Sequence, residues 1–157
     1  MLSPTVQISA SGLTHDQLQA EQAWLEGYAK DVDSLDWSKW GERWDKDAFL
    51  QVGNLPKFQG KDAIGNFYKE AFINISDYVH HQYIRYSFDL PLGLIYTTGT
   101  VSFKIRDDKK GRTIQVQAIG VIHKRMGESV ATGAELYFDN SPITTVLQEV
   151  MEERIAE

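Results

Sequence analysis

The spacing of apolar residues near the start of the chain predicts two helices. Thr14 stands three residues before Gln17, which is the spacing of a capping box that opens a helix. Apolar residues then recur at steps of three and four along one helical face: Leu18, Trp24, Leu25, Tyr28, Ala29 and Val32. A second short helix is predicted over residues 34–44, with Ser34 as its cap and Asp36 in its first turn, where the helix dipole favours a negative charge.

The next part of the chain combines a strand with a third helix. Residues 47–52 alternate as a strand does, and a turn follows at residues 54–56. Residues 61–75 return to helical spacing through their apolar positions. Residues 1–12 are mostly small and polar, so we expect an N-terminal arm there, followed by one domain over residues 13–157.

From residue 78 onward the hydrophobic period changes to two, which indicates strands. Four long strands are predicted over residues 78–90, 94–106, 112–126 and 129–138, each ended by a turn. Short turns between consecutive strands mean antiparallel pairing. A final helix is predicted over residues 143–154, with Pro142 at its first position. Hairpins after a helical start indicate an α+β fold and not an alternating parallel sheet.

Composition narrows the classes of function. A net charge of −6 argues against a nucleic-acid partner, because phosphate binding needs clustered Lys and Arg. The absence of cysteine excludes disulfides, thiolate nucleophiles and cysteine-based metal sites. The histidines and carboxylates do not follow a metal-binding spacing, so we expect no metal and no cofactor. We see no signal peptide and no membrane-spanning run, and therefore expect a cytoplasmic protein with no membrane partner.

Short stretches, taken in order, resemble one known family. They are Tyr28, the run Val32-Asp33-Ser34-Leu35-Asp36-Trp37, Trp44, and then residues 47–49, 60–64, 80–81, 99–103 and 137–139. This succession resembles the SnoaL-like branch of the nuclear-transport-factor-2-like superfamily, which includes scytalone dehydratase, ketosteroid isomerase and limonene epoxide hydrolase. The resemblance implies a curved antiparallel sheet that forms a cone, with helices roofing an apolar pocket. It also implies metal-free dehydration, isomerisation, cyclisation or epoxide opening, or ligand binding alone, often in a homodimer joined through the outer sheet.

Acid–base chemistry in such a pocket needs a carboxylate or histidine that water does not surround. Asp33 matches an active-site aspartate of scytalone dehydratase, although Val32 stands where that enzyme has a tyrosine. His80 and His81 lie on one strand and face opposite sides, and the sequence leaves open which one faces inward. The apolar parity of the strand favours His80, whereas spacing from Gly99 fits His81 equally well. Tyr28 matches a family tyrosine that donates a hydrogen bond to substrate oxygen.

Seven further residues are candidates for lining the pocket. They are the aromatic Trp24, Trp37, Phe49 and Phe67, and the polar strand residues Gln51, Gln117 and Glu135. An alternative puts Glu135 on the outer face of the sheet, in a dimer contact. The Asp–Arg–Asp arrangement of limonene epoxide hydrolase is missing, because Leu136 occupies the place of one aspartate.

Three functions remain open at this point. The first is a metal-free dehydratase, isomerase or cyclase that acts on a small hydrophobic, polyketide- or terpenoid-like molecule. The second is a small-molecule-binding protein without chemistry, and the third is a protein-interaction module. A short distance between Asp33 and an imidazole favours the first, whereas a filled interior with an apolar outer sheet favours the third.

Overall fold

The computed structural model describes residues 5–157, which form four α-helices and seven strands. In chain order the elements are β1 (Gln7–Ser9), α1 (His15–Asp33), α2 (Trp37–Trp40), a 3-10 turn (Gly41–Arg43), β2 (Trp44–Val52), β3 (Phe58–Gln59), α3 (Lys61–Tyr68), a π-helical turn (Lys69–Ile73), β4 (Ser76–Asp89), β5 (Leu94–Ile105), β6 (Ile114–His123), β7 (Ala131–Phe138) and α4 (Ser141–Ile155). No helix in this part of the chain is both long and apolar enough to cross a membrane.

All seven strands belong to one open sheet in the order β1-β4-β5-β6-β7-β2-β3. The hairpins β4–β5, β5–β6 and β6–β7 are antiparallel, as the short turns predict. Two pairs are parallel instead, β1 with β4 and β2 with β7, so the sheet is mixed rather than wholly antiparallel. The α+β prediction is confirmed.

The N-terminal half differs from the expected elements in three places. The expected arm contains β1, which lies along β4 at residues 85–87; residues 1–4 lie outside the described part. The second helix is only one turn long, because Ser34 ends α1 and Asp36 is the true cap, accepting the Ser38 N–H at 3.0 Å. The third helix ends at Tyr68 and continues as a π-helical turn.

One face of the sheet carries the core, and we call it the inner face. Ile95, Ile122, Ala134 and Leu50 lie side by side on four strands of this face and are all less than 7% exposed. Aromatic residues of α1, α2 and α3 pack over it, among them Trp40 at 4.1 Å from the ring of Tyr68. We call the opposite side the outer face.

A β-bulge in β4 changes which side chains reach the inner face. Tyr83 pairs with Gly99, but Arg85 pairs with Thr98, so Ile84 is one extra residue in β4. An extra residue reverses the alternation of side chains beyond it. Tyr83 and Tyr86 therefore both face inward although their numbers differ in parity, and their rings lie 5.8 Å apart.

A buried ion pair fixes α1 to the turn between β6 and β7. Lys124 Nζ lies 2.6 Å from Glu21 Oε2, and both side chains are at most 3% exposed. The other oxygen of Glu21 accepts the N–H of Gly127 at 2.8 Å. Removing one partner of such a pair costs about 3–5 kcal/mol because the other charge stays buried. The first helix is therefore firmly placed over the inner face.

Candidate acid–base site on the inner face

The end of α1 places Asp33 against the open edge of β4. The helix stops there because the next residues turn: Ser34 N–H bonds to Lys30 O, and Leu35 has a φ of 56°. Strand β1 pairs with β4 at residues 85–87, and within residues 5–157 no strand pairs with the edge beside His81. The His81 N–H instead donates to both Asp33 oxygens, each at 3.1 Å. Asp33 thus satisfies a backbone donor that a strand would otherwise pair.

The His81 ring bonds to the same carboxylate. His81 Nδ1 lies 2.5 Å from Asp33 Oδ1, and the two side chains are 27% and 21% exposed. His81 shares the inner face with Val79 and Tyr83. Because a carboxylate oxygen accepts, the contact assigns the ring proton to Nδ1, and Nε2 is then the nitrogen that can accept a proton.

His80 takes a different position from its neighbour. Its Nδ1 is 3.6 Å from Asp33 Oδ2, and its side chain is 58% exposed. It lies on the outer face, opposite Ser102. The parity argument that favoured His80 used residues beyond the bulge, where the alternation is reversed. Of the two histidines left open by the sequence, His81 is the one on the inner face.

Tyr83 lies beside this pair on the inner face, and Tyr28 of α1 lies next to Tyr83. Burial raises the pKa of Tyr28 to about 12, and the nearby Trp40 indole offsets this only in part. The Tyr28 hydroxyl is therefore protonated at neutral pH and is a hydrogen-bond donor. Tyr83 donates its hydroxyl to Leu25 O at 3.1 Å. Burial also raises the pKa of Tyr83, and the neighbouring Tyr28 and Asp33 add to the effect.

Part of the inner face next to His81 is left uncovered. Val101 pairs with His81, and the next row of inner-face positions is Tyr83, Gly99, Ala118 and Phe138. Val101 and Ala118 lie on central strands but are only partly buried, and Phe138 is 37% exposed. A Cβ on Gly99 would lie 2.8 Å from Gln82 O, so the close approach of β4 at the bulge favours glycine there. We call this surface, formed by His81, Gly99, Val101, Ala118 and Phe138, the inner recess.

Of the aromatic residues expected to line the pocket, some lie in the helical layer over the inner face and others lie farther from Asp33 and His81. Trp24 stacks on Tyr28 at 5.4 Å and donates its N–H to Ser129 O at 2.8 Å, so it belongs to the helical layer over the inner face. Trp37 packs on Trp40 and borders a surface depression beside α2. Phe67 packs on Phe58 at 4.4 Å, away from the Asp33–His81 pair.

Four expected lining residues lie on the other side of the sheet. Phe49, Gln51, Gln117 and Glu135 occupy strand positions that alternate with the buried inner-face positions. Phe49 packs on His123, and Gln51 donates to Gly53 O and Leu55 O. We therefore leave all four out of the inner recess. For Glu135 the alternative placement on the outer face is the one observed.

The outer face carries a second histidine–carboxylate pair. His123 Nε2 lies 2.6 Å from Glu135 Oε2, and the other oxygen of Glu135 accepts the Tyr137 hydroxyl at 2.7 Å. Hydrogen bonds from His123 and Tyr137 hold the pKa of Glu135 below its usual range, and the same Glu135 bond raises the pKa of Tyr137. Sequence analysis did not single out His123, because an isolated histidine on a strand carries no signal of its partner.

Other potential sites are few in the described residues. Within residues 5–157, no group of three or more His, Asp or Glu side chains is arranged to hold a metal ion. Two surface depressions lie away from the inner recess, one between α4 and the β5–β6 turn and one between α2 and the π-helical turn. Neither contains Asp33, His81 or Tyr28.

The fold is shared with several solved structures, although no protein-family model and no curated protein matches the sequence. PrhC from Penicillium brasilianum has a TM-score of 0.74 at 9% identity, over 90% of this chain and 94% of that one. A SnoaL-like polyketide cyclase from Shewanella denitrificans has a TM-score of 0.66 at 15% identity, over 83% and 98%. A limonene-epoxide-hydrolase-like enzyme from M. tuberculosis has a TM-score of 0.60 at 13% identity, over 85% and 93%. This chain therefore has the fold of the SnoaL-like and NTF2-like proteins among these structures.

Proposed function

We propose that this protein is a metal-free acid–base enzyme, a dehydratase, isomerase or cyclase, that acts on a small hydrophobic polyketide- or terpenoid-like molecule. The observation that carries the proposal is the 2.5 Å contact between His81 Nδ1 and Asp33 Oδ1 on the inner face. A base held by a carboxylate beside an apolar surface is the arrangement that general acid–base catalysis requires. The fold neighbours named for cyclase and epoxide hydrolase activity support a catalytic role for this scaffold.

In the proposed mechanism, His81 transfers the proton and Asp33 orients the imidazole ring of His81. His81 Nε2 takes a proton from a carbon next to a carbonyl, and the C–H electrons pass to the carbonyl oxygen as an enolate. Asp33 stabilises the imidazolium that forms, as the carboxylate of a catalytic triad does. The proton then returns to another carbon in an isomerisation, or to a hydroxyl that leaves as water in a dehydration.

Tyr28 is the proposed donor to the substrate oxygen. Because burial raises its pKa to about 12, it keeps its proton and donates a hydrogen bond to the developing enolate. Tyr83 already donates its hydroxyl to Leu25 O, and this bond holds α1 against the strand that carries His81.

The proposal is tested by proton exchange in D2O. Small ketones and any compound that co-purifies with the protein are incubated with wild type, and deuterium incorporation next to the carbonyl is followed by NMR and mass spectrometry. We expect exchange that wild type accelerates and His81→Gln does not. Equal exchange by both proteins, with ligand binding retained, identifies a binding protein and contradicts the enzymatic proposal.

The binding-protein alternative has one observation in its favour. The inner recess leaves apolar side chains accessible, since Phe138 is 37% exposed and Val101 is only partly buried. An accessible apolar surface suits binding of an apolar ligand without any chemistry. For this alternative we expect tight ligand binding that is unchanged in His81→Gln.

We further propose that two copies associate through the outer face of the sheet. Tyr96, Ile119 and Tyr137 are 39%, 51% and 42% exposed there, and Ile119 lies directly opposite Tyr137. Exposed apolar groups on one sheet face are typical of an interaction surface. Light scattering after size exclusion is expected to give a dimer, and Ile119→Lys a monomer. A wild-type protein that is monomeric in this measurement contradicts the proposed dimer.

A further inference from the structure

Asp33 has a second histidine partner that the proposed reaction does not use. His80 Nδ1 lies 3.6 Å from Asp33 Oδ2, whereas His81 Nδ1 contacts the other oxygen at 2.5 Å. Successive residues of a strand point to opposite faces of the sheet, so the two rings approach one carboxylate from its two sides. Asp33, at the edge of β4, is therefore shared between a ring on the inner face and a ring on the outer face.

On α1 and on the inner face, the other ionisable groups near this carboxylate are paired or neutral. Asp31 bonds to Arg43 at 2.8 Å. Burial raises the pKa of both Tyr28 and Tyr83, so neither tyrosine ionises between pH 5 and 8. The groups whose charge changes in this range are therefore the two histidines.

On the outer side, His80 has mainly uncharged neighbours. Ser102 of β5 lies opposite His80, and Lys104, the next outer-face residue of β5, lies opposite Tyr78. Lys104 and Lys30 of α1 are exposed, so water and salt screen their charges. His80 is itself mostly exposed, which lets its ring rotate into hydrogen-bond distance of the carboxylate.

We propose that His80 is a positioning residue for the acid–base pair, and that its charge sets the pH range in which His81 acts as a base. The inference rests on the proposed function and adds a residue that acts through Asp33 without touching the substrate. Below about pH 6.5, where a histidine ordinarily becomes protonated, His80 carries a positive charge. A second imidazolium on the same carboxylate disfavours protonation of His81, so His81 stays neutral and basic at a lower pH than it would alone.

The expected size of this coupling follows from the exposure of His80. Two unit charges on opposite sides of one carboxylate, in mostly aqueous surroundings, shift each other's titration by roughly 0.3 to 0.6 pH units. The shift disappears at high salt, because the Debye length falls to about 3 Å at 1 M.

The test is a histidine titration followed by NMR. The protein contains four histidines, so labelling with 15N-histidine gives four sets of ring signals, and each variant assigns the set that it removes. In His80→Gln at low salt, we expect the His81 titration curve to move to higher pH by roughly 0.3 to 0.6 units, and to coincide with the wild-type curve in 1 M NaCl. In His81→Gln, the His80 curve is expected to move in the same direction, since coupling between two sites is reciprocal.

Two further variants separate the effect of charge from other effects. His15→Gln removes an exposed histidine at the start of α1, about 27 Å along the helix from Asp33, and is expected to leave the His81 curve unchanged. His80→Lys restores a positive charge and is expected to return the His81 curve to the wild-type position or below it. A His81 curve that coincides in His80→Gln and wild type at low salt, or an equal shift in His15→Gln, overturns the inference.

The pH profile of proton exchange supplies a readout that a merely structural role would not change. On the acidic side, where the rate falls about tenfold per pH unit, His80→Gln is expected to be about 2- to 4-fold slower than wild type and to approach the wild-type rate as the pH rises to 8. An equal loss at every pH indicates a structural role of His80 and overturns the inference.

The result is separable from failure of the proposed function, because the titration needs no catalysis. If the two titrations are coupled but wild type catalyses no exchange, the coupling through Asp33 stands and the enzymatic proposal fails. If exchange depends on His81 while the His81 curve is the same in His80→Gln and wild type, the enzyme stands and the role of His80 fails.

Discussion

The two faces of the sheet carry histidine–carboxylate pairs that are nearly identical as contacts. His81 lies 2.5 Å from Asp33, and His123 lies 2.6 Å from Glu135, with side chains between 21% and 29% exposed in both. Their surroundings differ. Asp33 is fixed by a backbone N–H at the sheet edge beside an uncovered apolar surface, whereas Glu135 is bonded to Tyr137 on the opposite face. A short contact alone therefore does not define a site, because the function of the pair depends on the groups around it.

The first prediction separates the two histidines and has the largest expected effect. His81→Gln removes the proposed base, and general acid–base catalysis contributes about 10²–10⁴-fold, so a loss of that size is expected in proton exchange. His123→Gln is the matched control on the outer face and is expected to retain the wild-type rate. Equal losses in both variants would remove the distinction between the faces.

The second prediction separates the two carboxylates. Asp33→Asn keeps an oxygen for the His81 N–H but no longer stabilises the imidazolium, so the exchange rate is expected to fall roughly 10²-fold. Glu135→Gln, at the corresponding place on the outer face, is expected to leave the rate unchanged. A wild-type rate in Asp33→Asn, measured by the same NMR assay, contradicts the orienting role.

The third prediction concerns packing on the outer face. A Cβ at Gly133 would lie within 3 Å of three atoms of the Phe49 ring, which packs directly on this glycine. Gly133→Ala is therefore expected to lower the free energy of unfolding by about 1–3 kcal/mol, as overpacking does. Urea unfolding measures the loss, and the exchange rate per folded molecule is expected to be unchanged. An unaltered stability would show that Phe49 moves away freely.

The smallest expected effect is a pH dependence of the outer pair. The pKa of Glu135 is lowered in the folded protein from its usual value of 4.5, so its contribution to stability is present above pH 4.5 and is lost as the pH falls through the folded pKa. Because the pair is partly exposed, the contribution is below about 1 kcal/mol. The difference in unfolding free energy between wild type and Glu135→Gln is expected to be larger at pH 7 than at pH 3. If the difference in unfolding free energy instead increases as the pH falls, the lowered pKa of Glu135 is contradicted.

The sequence predicted where the helices and strands lie better than it predicted which face of the sheet each side chain occupies. The periods of three to four and of two were enough for α1, α3 and the strands β4–β7, because burial on one side imposes those periods. Strand β1 has three exposed residues and no alternation, so only its pairing with β4 identifies it. A single-residue bulge at Ile84 leaves no signal in the sequence and reverses the parity by which the two histidines were compared.

The candidate site shows the same limit. The family resemblance predicted Asp33 and one histidine of the 80–81 pair as site residues. In the structure Asp33 accepts the backbone N–H of His81 and contacts its ring, and no sequence pattern indicates that backbone hydrogen bond. The placement of Gln51, Gln117 and Glu135 on the outer face depends on the register of β2, β6 and β7. A shift of one residue in register exchanges the faces, so polarity within a strand cannot decide between pocket and outer surface.

We infer that the inner recess, and not the outer face, receives the ligand beside His81. A crystal structure of the protein with a small ketone or with a co-purified compound measures this directly. We predict the ligand on the inner face, with a carbon next to its carbonyl about 3–3.5 Å from His81 Nε2. A ligand at His123, or an inner face closed by side chains that exclude every ligand, would contradict the account.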